Sequence, residues 1–587
     1  MPLFVIVIFA AIVLGAGAML SPAYPTKQPR VALAGTLALG LVVGGTVFYS
    51  SLFGWDTLVI DYMMFALVTG IFLGGTLSVG QTRAEARGEE LLDQDQGWTG
   101  PQDLAFFAVV ALLFSLPVFV LHIPLGTDAQ AYGYMALTTR EGGTFNTLAP
   151  FMPDVQYLYS PGFNALTAYL SQQLNQGIHT VQFGVGAVMA LVNVWLAYDF
   201  GAELRDKRLG RAMGMAMLIG VAVFGMVIEG QYTALLGLAF IQAFFIFTYR
   251  YLQYGYPVDL LSGGLMLGAT AISHAGSTVI LLLGFIPWIA SMWLGSPKPD
   301  QKRWIKLAIG VPLIATIAIS PWLVDILPMV NDVASPFERS GTNLLIMAQN
   351  HGVIILAIAL LGGWLGWQRR DPIVILAIGW LFFIMDFSTT GGFAALLPFI
   401  SQYINPADMA WHGPIVAYTI MGGMGLLYLW DEVIQPRINF TMTYRQSYVA
   451  NALLAVILVS LSMMYQPLLD LLNLPERDST SAEIEAMEWL KDNTEPDVRI
   501  LNNPTNANWA SIISERDTVY APLLPYATAY DLTEQTAFEA FWENPTLDNE
   551  LLNGIDYILT TENIIFPEIE PIYNVDNVQI YRIADEG

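Results

Sequence analysis

The sequence contains no cysteine and has few charged residues. Across 587 residues, 12% are charged and 55% are hydrophobic, whereas about a quarter of residues are charged in an average soluble protein. The absence of cysteine excludes disulfides, thiolate metal sites, iron–sulfur clusters and a cysteine nucleophile. This composition predicts a membrane protein whose parts outside the bilayer must fold by packing alone.

Several motifs with a known chemistry are also absent. The chain has no Walker loop, dinucleotide fingerprint, haem attachment motif or HExxH sequence. A nucleotide-driven pump and a zinc protease therefore have no support from motifs. No basic residue precedes the first apolar segment, and Lys27 and Arg30 follow it. This order favours a spanning helix over a cleaved signal peptide.

Apolar stretches of roughly 17 to 22 residues recur along the chain, and such a stretch is long enough for a helix to cross the bilayer. We predict about 14 spans, at residues 2–20, 31–50, 58–79, 104–122, 180–199, 213–229, 232–250, 258–273, 277–294, 306–324, 350–367, 372–387, 412–431 and 448–466. If the first span starts outside, the inner loops carry 17 of the 24 basic residues. Because basic residues collect on the cytoplasmic side, the N-terminus and the C-terminal tail are predicted to be extracytoplasmic.

The chain is therefore expected to be a polytopic α-helical membrane protein with two parts. Residues 1–466 form a transmembrane domain whose first long outer loop covers 123–179, and residues 467–587 form an extracytoplasmic α/β domain. The tail has a helical pattern in STSAEIEAMEWLKDN and strand-like runs in VRILNN, DTVYAP, GIDYILTT and VQIYRI. It carries 24 acidic and 5 basic residues. This charge fits a solvated, salt-adapted surface or a surface for divalent cations or a cationic partner.

Asp128 is the principal candidate for chemistry because it follows the fourth predicted span directly. The segment AQAYGYMALTT after it has helical spacing, and Tyr132 lies on the same predicted face as Met135. An Asp at such a position either caps the helix, accepts a proton from a hydroxyl, or binds a divalent cation. The residues alone leave these roles open.

The pattern of this loop resembles the first extracytoplasmic loop of GT-C fold glycosyltransferases. The shared features are an acid after an early span, a Tyr/Ala helix, the bend REGG, and the turn YSPG before the apolar helix FNALTAYLSQQL. The tail segments EAMEWLKDNTEPDVRILNN, GIDYILTTE and VQIYRI look like the soluble domain that ends many bacterial members. The related enzymes include protein mannosyltransferases and lipid A aminoarabinose transferases.

The resemblance implies transfer of a sugar from a polyprenyl-phosphate donor to a lipid, glycan or protein acceptor, with inversion at the anomeric carbon. Asp128 would be the catalytic base or a ligand of a divalent cation, Mg²⁺ or Mn²⁺. No organic cofactor and no nucleic acid are implied. Many relatives have a second acid directly after the first, whereas this chain has Ala129. Asp154 or Glu141 would then supply a second metal ligand if the loop folds back, and the alternative for each is a solvated loop acid. Three spans precede the span that enters this loop, whereas the common pattern has one, which suggests an N-terminal addition.

Other candidate residues follow from the predicted topology. Arg339 and His274 fall at outer helix ends, where basic groups are scarce, and would contact the donor phosphate. Pairing of Arg339 with Glu338, and a locally bonded histidine, are the alternatives. Tyr157 and Tyr159 lie inside the first long loop and are expected, with Tyr132, to contact the sugar or lipid. Two other functions remain open: a non-catalytic GT-C-related subunit of a membrane complex, and a polytopic transporter.

Overall fold

The chain is mostly helical, with a small mixed sheet near its C-terminus. A computed structural model describes residues 2–24, 29–85, 101–294, 300–329, 344–389, 392, 395, 406–437, 446, 449, 453, 479–504, 507–520, 533–560, 564, 566 and 568–583. Nearly all of the span predicted at 448–466 lies outside these residues, as does Arg339.

The helices before residue 437 form the membrane domain. They are α1 (Pro2–Leu20), α2 (Val31–Phe53), α3 (Thr57–Glu85), α4 (Pro101–Val120), α5 (Thr127–Gly142), α6 (Gly162–Leu174), α7 (Ile178–Leu204), α8 (Lys207–Ile219), α9 (Ala222–Ile228), α10 (Tyr232–Tyr254), α11 (Pro257–Ser273), α12 (Ala275–Leu294), α13 (Gln301–Ile326), α14 (Leu344–His351), α15 (Val353–Gln368), α16 (Pro372–Thr389), α17 (Pro406–His412) and α18 (Pro414–Tyr428). Two short antiparallel strands, β1 (Thr147–Leu148) and β2 (Met152–Gln156), lie between α5 and α6.

Eight of the described helices are long and apolar enough to cross a membrane, or nine spans if the bent pair α8 and α9 counts as one. Four shorter apolar helices, at 57–70, 257–273, 275–288 and 353–368, cover further predicted spans. The polytopic helical fold predicted from hydropathy is thereby confirmed. Helices α7 and α10 are buried almost throughout, so they form the centre of the bundle.

The sixth predicted span differs from its prediction, because it is bent by 52° between α8 and α9. Gly220 has an extended backbone there, and a Cβ on it would lie 2.5 Å from the Tyr418 hydroxyl. The Val221 N–H leaves the helical pattern and donates to the carbonyl of His351 at 3.3 Å. The tertiary neighbours Tyr418 and His351 therefore accommodate the break, which hydropathy does not reveal.

The C-terminal region has the predicted α/β character. Its helices are α19 (Ser481–Asn493), α20 (Ala507–Ser514) and α21 (Thr533–Glu543), and its strands are β3 (Arg499–Leu501), β4 (Asp517–Thr518), β5 (Tyr557–Thr560), β6 (Tyr573–Val575) and β7 (Val578–Arg582). The sheet order is β4-β3-β5-β7-β6, parallel from β4 to β5 and antiparallel beyond it. Thr480 and Glu483 form a capping box at the start of α19.

An ion cluster joins this region to the first long loop. Arg140, in the last turn of α5, contacts Glu515 at 2.7 Å, and Lys491 on α19 contacts the same carboxylate at 2.8 Å. Burial opposes ionisation of Glu515, but the charges of Arg140 and Lys491 outweigh it and lower the pKa of this carboxyl. The residues just before Glu515, in α20, also pack on α5, since Ile512 lies against Gly133.

Replacing Glu515 with Gln is expected to destabilise the docked C-terminal region by about 2 kcal/mol, because it leaves two cations without their carboxylate. Since the folded-state pKa of Glu515 is lowered, its contribution is present above the ordinary value of 4.5 and is lost as the pH falls through the folded-state pKa. Thermal unfolding of the purified full chain at pH 7.5 checks the mutation, with Glu543→Gln on α21 as control. An unchanged melting temperature for Glu515→Gln would contradict the assignment.

Candidate active site

Asp128 lies in the first turn of α5, but it does not cap this helix. The N-cap residue is Gly126, and no side-chain capping hydrogen bond is present. A Cβ on Gly126 would lie 1.6 Å from the carbonyl oxygen of Glu229, so only glycine permits this approach. The capping role left open by the sequence is therefore not the role of Asp128 in this structure.

The start of α5 packs directly on the turn between α9 and α10. Gly230 has a φ of +73°, and a Cβ on it would lie 2.5 Å from the Cβ of Ala129. Gln182 on α7 donates to the carbonyl of Ala129 at 3.0 Å. These contacts hold the Asp128 end of α5 beside Glu229, from two sides.

Glu229 is the acid that sequence analysis missed. It ends the sixth predicted span, whereas the predicted second carboxylates, Asp154 and Glu141, lie in the same loop as Asp128. An acid at the end of a predicted span is the signal that indicates Asp128, and the same signal indicates Glu229. Only the packing of α5 on the α9–α10 turn shows that the two acids belong to neighbouring segments.

The Asp128 carboxylate is half-buried and has no hydrogen-bond or ion-pair partner among the described residues. Burial alone raises the pKa of Asp128 to about 6. A carboxyl group with this pKa is ionised at neutral pH and is a better proton acceptor than an exposed one. Its environment is therefore suited to general-base chemistry.

Two of the predicted tyrosines lie together next to this acid. The hydroxyls of Tyr132 and Tyr159 are 2.8 Å apart, and the Tyr159 hydroxyl lies 3.5 Å from that of Thr233 at the start of α10. Burial, followed by the nearby charge of Asp128, raises the pKa of Tyr132. The hydroxyl groups of Tyr132 and Tyr159 thus form a hydrogen-bonded pair next to Asp128.

A chain of polar side chains continues from Glu229 towards α12. The Gln231 amide donates to Glu229 at 3.2 Å and accepts from His412 at 2.7 Å. The His412 ring lies edge-on to the His274 ring, with centroids 5.5 Å apart. Since the Ser277 N–H donates to Nδ1 of His274 at 3.0 Å, the neutral His274 ring carries its proton on Nε2. His274 is therefore able to donate a hydrogen bond to an anionic ligand.

Other predicted residues are not brought into this group. Tyr157 is 1% exposed and lies beside Thr138 and Thr139, which belong to the second half of α5. Asp154 is exposed on β2, and Glu141 pairs with Arg140 at 2.7 Å. In the part of the chain that the structure describes, no three His, Asp or Glu side chains form a group that could hold a metal ion.

Asp128 on α5 thus packs on the turn between α9 and α10, and α5 is joined to the C-terminal α/β region through Arg140 and Glu515. No protein-family model matches the sequence, and no curated protein matches it. Among solved structures, the chain is similar to ArnT from Cupriavidus metallidurans bound to undecaprenyl phosphate, with a TM-score of 0.56 and 12% identity over 82% of this chain and 98% of that chain. Apo ArnT gives a TM-score of 0.55 and 10% identity, covering 82% and 97%.

The mycobacterial arabinofuranosyltransferase AftD has a TM-score of 0.50 and 11% identity, and the match covers 82% of this chain and 39% of AftD. The match to each of the three structures covers 82% of this chain. The GT-C fold predicted from the first loop and the tail is confirmed by them.

Proposed function

We propose that this protein is a membrane glycosyltransferase that moves a sugar from a polyprenyl-phosphate donor to a lipid, glycan or protein acceptor. The observation that carries the proposal is the Asp128 carboxylate, which is half-buried, without a partner among the described residues, and held beside the α9–α10 turn. An acidic side chain that is buried to this extent and has only a structural role would be expected to have a cation or several N–H donors around it. The fold adds a precedent, since the ArnT structure above contains undecaprenyl phosphate.

In the proposed reaction, the carboxylate of Asp128 accepts the proton of the acceptor hydroxyl. The acceptor oxygen then attacks the anomeric carbon, and the bond to the polyprenyl phosphate breaks on the opposite face, with its electron pair leaving on the phosphate. Tyr132 and Tyr159 contact the sugar, and the Nε2–H of His274 donates to the phosphate. Tyr157 and Arg339 remain predicted substrate contacts.

We propose the membrane orientation from the charge distribution. The N-terminus, Asp128 and the C-terminal region lie on the extracytoplasmic side, because the alternate loops carry 17 of the 24 basic residues. The proposed division is a transmembrane domain at 1–466 and an acidic domain at 467–587. The donor lipid would then reach the site from the outer leaflet.

A divalent cation, Mg²⁺ or Mn²⁺, is implied by the resemblance, with Asp128 and Asp154 as ligands. The described residues do not fit this ligand set, because Asp154 is exposed on β2 and no three-residue metal group is present in the described ranges. Comparing sugar transfer with and without EDTA shows directly whether a divalent cation is required.

The rate of transfer is expected to depend on the ionisation of Asp128. Because burial raises its pKa to about 6, kcat/KM should be constant above pH 7 and fall about tenfold per pH unit below 6. Initial rates between pH 4.5 and 8 give the profile. A midpoint near pH 4, the ordinary range for an aspartate, would contradict the role of this buried carboxylate.

The function itself is tested by incubating membranes that contain the protein with a panel of radiolabelled polyprenyl-phosphate sugars. The proposal predicts transfer from at least one donor into a lipid, glycan or protein fraction, or slow release of free sugar when no acceptor is present. If every donor is inert under both conditions, the protein is not an active transferase, and the structural-subunit function becomes the better description.

A further inference from the structure

A large cavity opens at the end of the membrane domain opposite to Asp128. Its volume is about 760 Å³, and it is lined by residues from the ends of α7, α10, α15, α16 and α18. Near the start of α7, Gln182 bonds to the Asp128 segment, whereas Leu204 and Arg205 at the other end line the cavity. A helix of this length spans about 40 Å. The cavity is therefore separate from the candidate active site.

Arginine side chains surround the cavity. Arg205, Arg303 and Arg369 line it. The guanidinium of Arg303 is fixed by the carbonyls of Leu252 and Gln253, at 2.9 and 2.8 Å. Arg369 has no side-chain hydrogen bond or ion pair with any described residue, and it is exposed at the rim. Arg303 is thus fixed in place, and Arg205 lies 3.4 Å from Asp206. Of the three arginines, Arg369 is the one available to a ligand.

The carboxylates at the same cavity are mostly engaged by other groups. Asp371 accepts from the N–H groups of Ile373 and Val374 at the start of α16. Asp431 pairs with Arg208, outside the cavity lining. Asp300 accepts from the Lys302 N–H at 2.9 Å and lies 3.7 Å from Arg303. Glu432 is exposed at the rim. Two of the four carboxylates, Asp300 and Asp431, thus have arginine partners, and Asp371 is bonded to backbone N–H groups.

The inner wall of the cavity is apolar and aromatic. Trp288 is 2% exposed, and Leu365, Met424 and Leu427 lie on the wall with it. A site with arginines at its rim and an apolar wall between helices suits a ligand that has an anionic head and an apolar chain. Guanidinium groups match phosphate oxygens in geometry and charge, and basic pockets between membrane helices are known to hold phosphate head groups.

We propose that this cavity binds a phosphate group, carried either by a membrane lipid or by a soluble ligand. The volume is within the range of small-molecule sites, so it accommodates a head group together with the first part of a chain. The inference does not depend on the proposed transferase function, since none of the lining residues belongs to the candidate active site.

The test uses the purified full chain in a neutral detergent. Binding of dihexanoyl phosphatidic acid is measured by the change in tryptophan fluorescence and by native mass spectrometry. Arg369→Gln is compared with Arg370→Gln, since Arg370 is an adjacent exposed arginine that does not line the cavity. We expect saturable binding to the wild type, a loss of at least about tenfold in affinity for Arg369→Gln, and wild-type affinity for Arg370→Gln and Asp128→Asn.

Two further probes identify the source of the phosphate. Binding of the phosphatidic acid without binding of inorganic phosphate assigns the site to a lipid, whereas equal affinity for both assigns it to a soluble phosphate. The proposal is overturned if the wild type shows no saturable binding, if dihexanoylglycerol, which lacks the phosphate, binds equally well, or if Arg369→Gln and Arg370→Gln have the same effect.

Discussion

Asp128→Asn is expected to lower sugar transfer at least roughly a hundredfold, because the amide cannot accept the proton of the acceptor hydroxyl. Asn has nearly the same shape as Asp, and the carboxylate has no partner among the described residues that the change would disturb. The fold should therefore be preserved while the chemistry is lost. The measurement is kcat/KM for transfer, at pH 7.5 and with protein quantified in each membrane preparation.

Asp154→Asn is the matched control, since it makes the same chemical change on an exposed strand of the same loop. Wild-type transfer by this variant, together with a strong loss for Asp128→Asn, supports Asp128 as the base. Equal activity of the wild type and Asp128→Asn would show that the acid is structural. A comparable loss in both variants, reversed by added Mg²⁺ or Mn²⁺, would favour the metal site that the resemblance implied.

A single methyl group on Gly126 should reduce transfer by about a hundredfold without touching a reactive group. The backbone of Gly126 is extended, with φ −89° and ψ 148°, so alanine adopts it easily. Its Cβ, however, would lie 1.6 Å from the carbonyl oxygen of Glu229, and the start of α5 must move away. A displacement near 1 Å at a catalytic group is known to cost about 10²-fold.

Gly44→Ala is the control for Gly126→Ala, because a Cβ at position 44 meets no atom of the described residues within 4 Å. Its transfer rate and thermal stability should equal or exceed those of the wild type, since alanine is favoured in a helix. The KM for the donor and kcat should be measured separately for Gly126→Ala. Full activity of this variant would mean that the close packing of α5 on the α9–α10 turn does not position Asp128.

The sequence by itself determined the membrane class, most spans and the C-terminal α/β character. Hydropathy and strand alternation depend on local composition, and each is visible within about 20 residues. The GT-C resemblance of the loop from Asp128 to the YSPG turn was also visible locally. The sequence also placed Tyr132, Tyr157 and Tyr159 in one loop, but it gave no reason to expect that the hydroxyls of Tyr132 and Tyr159 would lie within hydrogen-bond distance of each other.

Only the tertiary structure decided which side chains meet. Asp128 at the start of α5, Glu229 at the end of α9 and His412 at the end of α17 are separated by between about 100 and 280 residues. The approach of Asp128 to Glu229 depends on Gly126 and Gly230, where the absence of a side chain lets the start of α5 pack on the α9–α10 turn. Such contacts follow from the packing of helices against each other, which hydrophobic periodicity does not encode residue by residue. The same packing produced the cavity around Arg369, which no local pattern indicated.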